Sequence, residues 1–123
     1  NTTGARNTAM GTSTSGATDG ALGKNTTGDD NTAVGHQANS QNTTGSKNTA
    51  IGATALYSNT TASNNTAVGY QAGYTGTTFG ALGGYNVFLG RQAGYLSTGD
   101  GCTFVGPNSG NAMTSGGRSG SGK

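Results

Sequence analysis

Glutamate and tryptophan are missing from this chain, and cysteine, histidine and proline each occur once in its 123 residues. A lone cysteine, Cys102, excludes an intrachain disulfide framework. Large apolar side chains are scarce too, with four Val, five Leu, one Ile, two Met and three Phe. That is too little to close one globular core around a chain of this length. No apolar run approaches the roughly 20 residues of a membrane-spanning helix and no signal peptide is recognisable, so membrane insertion is not expected. Charge is equally thin. The six basic residues, at 6, 24, 47, 91, 118 and 123, stand singly, and the formal net charge is only +2. A nucleic-acid surface gathers positive charge into a patch, so no nucleic-acid partner is expected.

What the chain has instead is order among small residues. It carries 25 Gly, and its Asn and Thr recur in phrases. Asn48-Thr49-Ala50-Ile51-Gly52 returns 17 residues later as Asn65-Thr66-Ala67-Val68-Gly69. Disordered polar chains usually carry high net charge and no register, whereas this one repeats with register. The phrases align as an eleven-residue unit, N-T-T-G-x-x-N-T-A-φ-G, where φ is a large apolar residue. Units begin at Asn1, Ser13, Asn25, Asn42 and Asn59, overlap between 73 and 90, return at Leu96 and fade at Met113. One residue (Thr12, Lys24) or about six (HQANSQ, ATALYS, PNSGNA) join them, which reads as a fixed body with an arm of variable length. The chain opens inside a repeat without Met, as a piece of a longer protein would. Residues 1–116 form the repeat domain. Residues 117–123 read as a degenerate or flexible tail, because 119–122 offer Ser-Gly-Ser-Gly where the apolar pair should stand.

Gly, Asn and Thr disfavour helix, and no window shows an apolar stripe at helical spacing. Thr and Val suit short strands, while Gly and Asn tolerate the positive φ of corners. The expected fold is all-β, a parallel β-solenoid (β-roll or β-helix) with coils of about 12 to 17 residues. Six or seven rungs stacked about 4.8 Å apart would make a body roughly 30 Å long. Stacking places like on like: Asn7, Asn31, Asn48, Asn65 and Asn86 as an amide ladder, and Thr8, Thr32, Thr49 and Thr66 as a hydroxyl ladder.

The pair before each corner glycine is apolar at both members, as in Ala9-Met10, Ala21-Leu22, Ala33-Val34, Ala50-Ile51, Ala67-Val68, Phe88-Leu89 and Phe104-Val105. Neighbouring strand residues face opposite sides, so both faces are expected to be buried. One face lines the chain's own coil. The other calls for a second surface, read as another copy in an intertwined or side-by-side homotrimer. Met10, Leu22, Val34, Ile51, Val68, Phe88, Leu89, Phe104 and Val105 are the expected core and trimer-interface residues. The swelling from Ala to Phe in the last two rungs points to an inter-chain core that widens toward the C-terminus.

The phrases NTAVGYQAGY, NTTGSKNTAIG and CTFVGPNSGNAMTSG resemble the glycine- and asparagine-rich repeats of bacteriophage tail-fibre proteins. In that family such repeats lie upstream of an endosialidase-type intramolecular chaperone. They are also similar to the head repeats of trimeric autotransporter adhesins. The resemblance spans about residues 1–116 and implies a homotrimeric shaft or host-contact segment of a virion tail fibre, extracellular, that meets a host cell-surface glycan or protein. No counterpart of the chaperone is present in these residues.

Few residues could carry chemistry, and no enzyme activity, cofactor or metal is expected. His36 follows a corner glycine where other rungs have Ala53, Tyr70 and Arg91, so it reads as a solvated loop position. With Cys102 it cannot make the three- or four-ligand set that zinc needs. Asp29 and Asp30 fall on the x-x pair and read as a charged turn. Cys102 stands at the Asn position of its rung and reads as a small buried thiol. Asn1, Asn25, Asn42, Asn59 and Asn64 begin N-x-T sequons but read as turn and ladder residues. Tyr70, Tyr74, Tyr85 and Tyr95, with Arg91, lie on or near the longer arms and are the candidate receptor contacts.

Two other functions fit the composition. A flat Thr array on a β-helix can order water, which makes an ice-binding solenoid the alternative from another class. Against it, the Thr8 column is expected to be buried, leaving Thr2, Thr14, Thr26, Thr43 and Thr60 available. A bacterial surface adhesin head is the third reading.

Overall fold

The computed structural model describes residues 2–13, 20–75 and 82–111 in full and 119–121 by backbone. Seven three-residue strands pair in parallel and in chain order into one sheet: β1 (Thr8–Met10), β2 (Thr32–Val34), β3 (Thr49–Ile51), β4 (Thr66–Val68), β5 (Val87–Leu89), β6 (Thr103–Val105) and β7 (Ser119–Ser121). Each strand is one rung of an all-β parallel solenoid. Register is like on like, with Thr32 beside Thr49, Ala33 beside Ala50 and Val34 beside Ile51. β7 falls in the segment expected as a tail, yet it continues the sheet, with Gly120 beside Phe104.

Glycine ends each strand for two reasons. Gly35, Gly52, Gly69 and Gly90 have φ between +130° and +133°, which side chains avoid. A Cβ on Gly69 would also lie 2.6 Å from Gly90 O in the next coil. The chain then continues as turns that stack as regularly as the strands do. Thr54 N–H donates to His36 O at 2.8 Å, Asn39 N–H to Ala55 O at 2.8 Å and Gln41 N–H to Tyr57 O at 3.3 Å. The six-residue connectors are thus part of the coil and not protruding arms.

The ladder position recurs after 24, 17, 17, 21 and 16 residues. The common coil has 17 residues, at the upper end of the expected range, and no coil between the described ladder positions is as short as 12. The unit expected at Ser13 is the reason. Thr8 pairs directly with Thr32, so no rung intervenes. Ala21-Leu22 is a turn in which Leu22 N–H donates to Ala38 O at 3.0 Å, placing Leu22 in the turn column of Asn39 and Leu56. That unit has Asp19-Gly20 where true rungs have Asn-Thr, so it lacks the ladder amide that fixes a strand. In the overlapping stretch, GALGGYNVFLG supplies the rung; residues 76–81 lie outside the described ones.

The interior is narrow and filled by exchange between two columns. Ala33, Ala50 and Ala67 point inward from the strands and are fully buried, opposite the larger Leu56 in the turn column. Farther along, Phe88 and Phe104 take the strand position and Gly73, Gly94 and Gly110 take the turn position. A Cβ on Gly73 would lie 2.6 Å from Phe88 Cδ2, and one on Gly110 2.5 Å from Phe104. The two rings stack at 5.9 Å. The swelling from Ala to Phe therefore widens the chain's own core. It does not widen an inter-chain one, and Phe88, Phe104 and Leu22 all face inward.

Candidate functional surface

Polar ladders hold the leading side of each coil. Asn31 N–H donates to Asn7 Oδ1 at 2.9 Å, and the same bond joins Asn48 to Asn31, Asn65 to Asn48 and Asn86 to Asn65, each at 3.0 Å. The Cys102 N–H completes the series on Asn86 Oδ1 at 2.8 Å. Cys102 is 2% exposed, so its thiol fills the ladder slot without an amide. Two residues earlier in each unit a second series runs, which the sequence reading passed over. Ala5 N–H donates to Asp29 Oδ1, Asp29 N–H to Ser46 Oγ, Ser46 N–H to Ser63 Oγ and Gly84 N–H to Asp100 Oδ1. Asp29 and Asp100 are thus structural acceptors on the same footing as two serines. Asn25, Asn42 and Asn59 form a third column, with Asn42 Nδ2 donating to Asn25 Oδ1 at 2.7 Å and Asn59 Nδ2 to Asn42 Oδ1 at 3.3 Å. All three are buried, so their sequons present no free amide.

The sheet's outer face gathers most of the exposed large hydrophobic residues among those described. Alternate strand residues point outward, giving a column of Thr8, Thr32, Thr49, Thr66, Val87 and Thr103 beside a column of Met10, Val34, Ile51, Val68, Leu89 and Val105. Met10 is 64% exposed, Leu89 47%, Val105 42%, Ile51 40% and Val87 39%. Val34 and Val68 are half-buried. The sequence reading placed this Thr column in the interior, and the structure puts it outside; the Thr2 column stays open at Thr2 and Thr60 and half-buried at Thr26 and Thr43, with Thr14 outside the described residues. The hydroxyls of Thr2, Thr26 and Thr43 donate to backbone carbonyls of the next coil at 3.1, 2.8 and 3.0 Å. Those of Thr8, Thr32, Thr49, Thr66 and Thr103 bond to no other described residue.

Two margins border that face. The leading margin, just before the ladder asparagine, holds Arg6, Asp30, Lys47, Asn64 and Tyr85, all in the left-handed region with φ between 54° and 63°. Arg6 Nε donates to Asp30 Oδ1 at 2.5 Å and Arg6 Nη2 to Oδ2 at 3.1 Å. That hydrogen bond, more than the nearby positive charge, holds the Asp30 carboxyl below its ordinary range. The trailing margin, just after the corner glycine, holds His36, Ala53, Tyr70, Arg91 and Pro107. His36 is half-buried there, less solvated than expected, and its Nε2 is shielded without a partner among the described residues.

The candidate receptor contacts do not form one cluster. Tyr70 and Arg91 share the trailing margin, and Tyr85 stands on the leading one. Tyr74 and Tyr95 belong to a stack that includes Tyr57, with centroids 5.3 Å (Tyr57–Tyr74) and 5.0 Å (Tyr74–Tyr95) apart and planes within 10°. Burial in that stack, followed by its tyrosine neighbours, raises the Tyr74 phenol above its ordinary pKa. The signal for Tyr57 was present: all three tyrosines stand five residues after a corner glycine. The described residues enclose no pocket and bring together no group of three His, Cys, Asp or Glu that could hold a metal. No protein-family model, curated protein or solved structure matches the chain.

Proposed function

We propose that the chain is a structural segment of a homotrimeric, extracellular fibre of the bacteriophage tail-fibre kind, a shaft or host-attachment region with no catalytic role. One observation carries the reading. Among the described residues, every exposed large hydrophobic one lies on the sheet's outer face (Met10, Ile51, Val87, Leu89, Val105) or on its margins (Tyr70, Tyr85). Contiguous apolar surface of this kind marks an interaction site. A second copy of the same solenoid offers a surface of the same pitch and length. Away from that face, Tyr74, Tyr95 and any part of Tyr70 and Arg91 left open by assembly are the groups for a host glycan or protein. Native mass spectrometry or light scattering should give three times the 11.9 kDa chain. A folded monomer at micromolar concentration would overturn the reading.

A second reading rests on the outward Thr column, whose hydroxyls bond to no other described residue and, beside aliphatic side chains, form a repeating array suited to ordering water. It needs the face that the trimer covers. Thermal hysteresis in a solution of folded monomers supports ice binding, and its absence in a trimer removes it. A bacterial adhesin head shares the trimeric architecture, and the genes flanking the coding sequence separate it from a phage fibre.

A further inference from the structure

The margins of the outer face carry information about how copies would meet. In a ring of parallel copies whose faces point to the axis, the leading margin of each copy adjoins the trailing margin of the next. Rungs rise equally in every copy, so residues of one rung meet at one height. Asp30 comes opposite His36, Asn64 opposite Tyr70, and Tyr85 opposite Arg91. No rung sets like charges together. Tyr85 is 72% exposed. Arg91 is exposed as well, and its one side-chain bond among the described residues is a 3.4 Å contact from Nη1 to Asn108 Oδ1. Within one chain the two cannot meet, because they flank opposite edges of the same strand, roughly 15–20 Å apart at the rise of an extended chain.

We propose that this margin pairing sets the register of self-association, with the Tyr85 ring of one copy receiving the Arg91 guanidinium of the next. The inference rests on the self-association reading above and adds the occupant's orientation: a parallel copy, at zero rung offset, in a closed ring. The chemistry is that of a cation over an aromatic face, which guanidinium groups favour at interfaces. Sliding one copy by a single rung sets Tyr85 against Tyr70 or Pro107 and loses the contact. An isologous pair instead sets leading margin against leading margin and leaves Arg91 without the ring.

Cross-linking tests it directly. The Tyr85→Cys/Arg91→Cys double variant, treated with a short bismaleimide, should give a covalent trimer on a denaturing gel, because two long side chains in contact hold their Cα atoms beyond the roughly 7 Å that a disulfide bridges. Each single variant should stay uncross-linked; the native Cys102 is buried and does not interfere. A trimer by light scattering that yields no cross-link overturns the margin pairing and leaves the trimer standing. Dimers cross-linked from Tyr85→Cys alone overturn it in favour of an isologous pair. A wild-type protein that is monomeric by light scattering overturns both. Removing both side chains could itself weaken assembly, so a second measurement uses the otherwise native chain. Arg91→Ala should raise the midpoint concentration of assembly about 2- to 5-fold per contact, the equivalent of a surface cation–π pair, whereas Tyr85→Phe should not. Equal midpoints for wild type and Arg91→Ala count against the proposal.

Discussion

Asn48 shows why a short polar phrase can substitute for a core. Its Oδ1 accepts the Asn65 N–H at 3.0 Å and its Nδ2 donates to Ala62 O at 2.9 Å, both in the following coil. One buried side chain thus satisfies two backbone groups that the narrow coil cannot pair internally. Asn48→Ala strands both, at roughly 1–3 kcal/mol each, and should lower the melting temperature sharply. A variant that melts with wild type would show that the ladder is incidental. Glycine allows a cleaner comparison. Gly94 and Gly101 both have φ +62°, but a Cβ on Gly94 would enter the Phe88 ring, whereas no described residue lies within 4 Å of one on Gly101. Gly101→Ala should cost only the left-handed backbone term, about 1–2 kcal/mol. Gly94→Ala should cost that plus overpacking, about 1–3 kcal/mol more. Equal losses, measured by chemical denaturation of the two variants, would remove the exchange of bulk between strand and turn columns.

At the scale of the element, β1 to β6 were legible because each sits in a variant of one five-residue phrase, an apolar pair before a corner glycine, whereas β7, in Arg118-Ser119-Gly120-Ser121-Gly122, lacks the apolar pair and read as tail. The phrase set period and register, but not which member of the apolar pair goes in; the turn-column glycines decide that for Phe88 and Phe104. The coil length was less legible. GALG at residues 20–23 copies the apolar pair and corner glycine but not the Asn-Thr before them, and the fold follows the asparagine. The turns were misjudged for a related reason. They lack strand composition, so they read as loops, although their backbones bond from coil to coil as the strands do. The tyrosine stack belongs to these turns. Tyr74 has a ring on each side, each contact worth about 0.5–1.5 kcal/mol beyond burial. Tyr74→Ala should therefore destabilise more than Tyr57→Ala or Tyr95→Ala, which each remove one contact. Thermal melts that rank the three alike would make the stack a coincidence of spacing.

For the whole molecule, the sequence pattern identified a strand apolar on both faces but could not say which apolar residue met which surface. The ring size of Phe88 and Phe104 was read as inter-chain bulk. The compensating glycines that accommodate those rings stand in the turn column, which a strand pattern does not inspect. With the faces assigned, Ala50 and Ile51 become a test of the architecture, since they are adjacent on one strand and differ in what covers them. Ala50 is fully buried inside the coil, whereas Ile51 is 40% exposed on the outer face. An aspartate at 50 has no water and no partner, and an unpaired buried charge costs several kcal/mol. Ala50→Asp should therefore abolish the β-rich circular dichroism signal at any concentration. Ile51→Asp meets solvent in the single chain and should keep that signal, while in the assembly each of the clustered copies brings a negative charge to one height. It should therefore yield folded monomers by light scattering under conditions where the proposed trimer of wild type forms. Loss of the fold in Ile51→Asp would place Ile51 in the chain's own core, and an intact trimer in that variant would place the shared surface elsewhere.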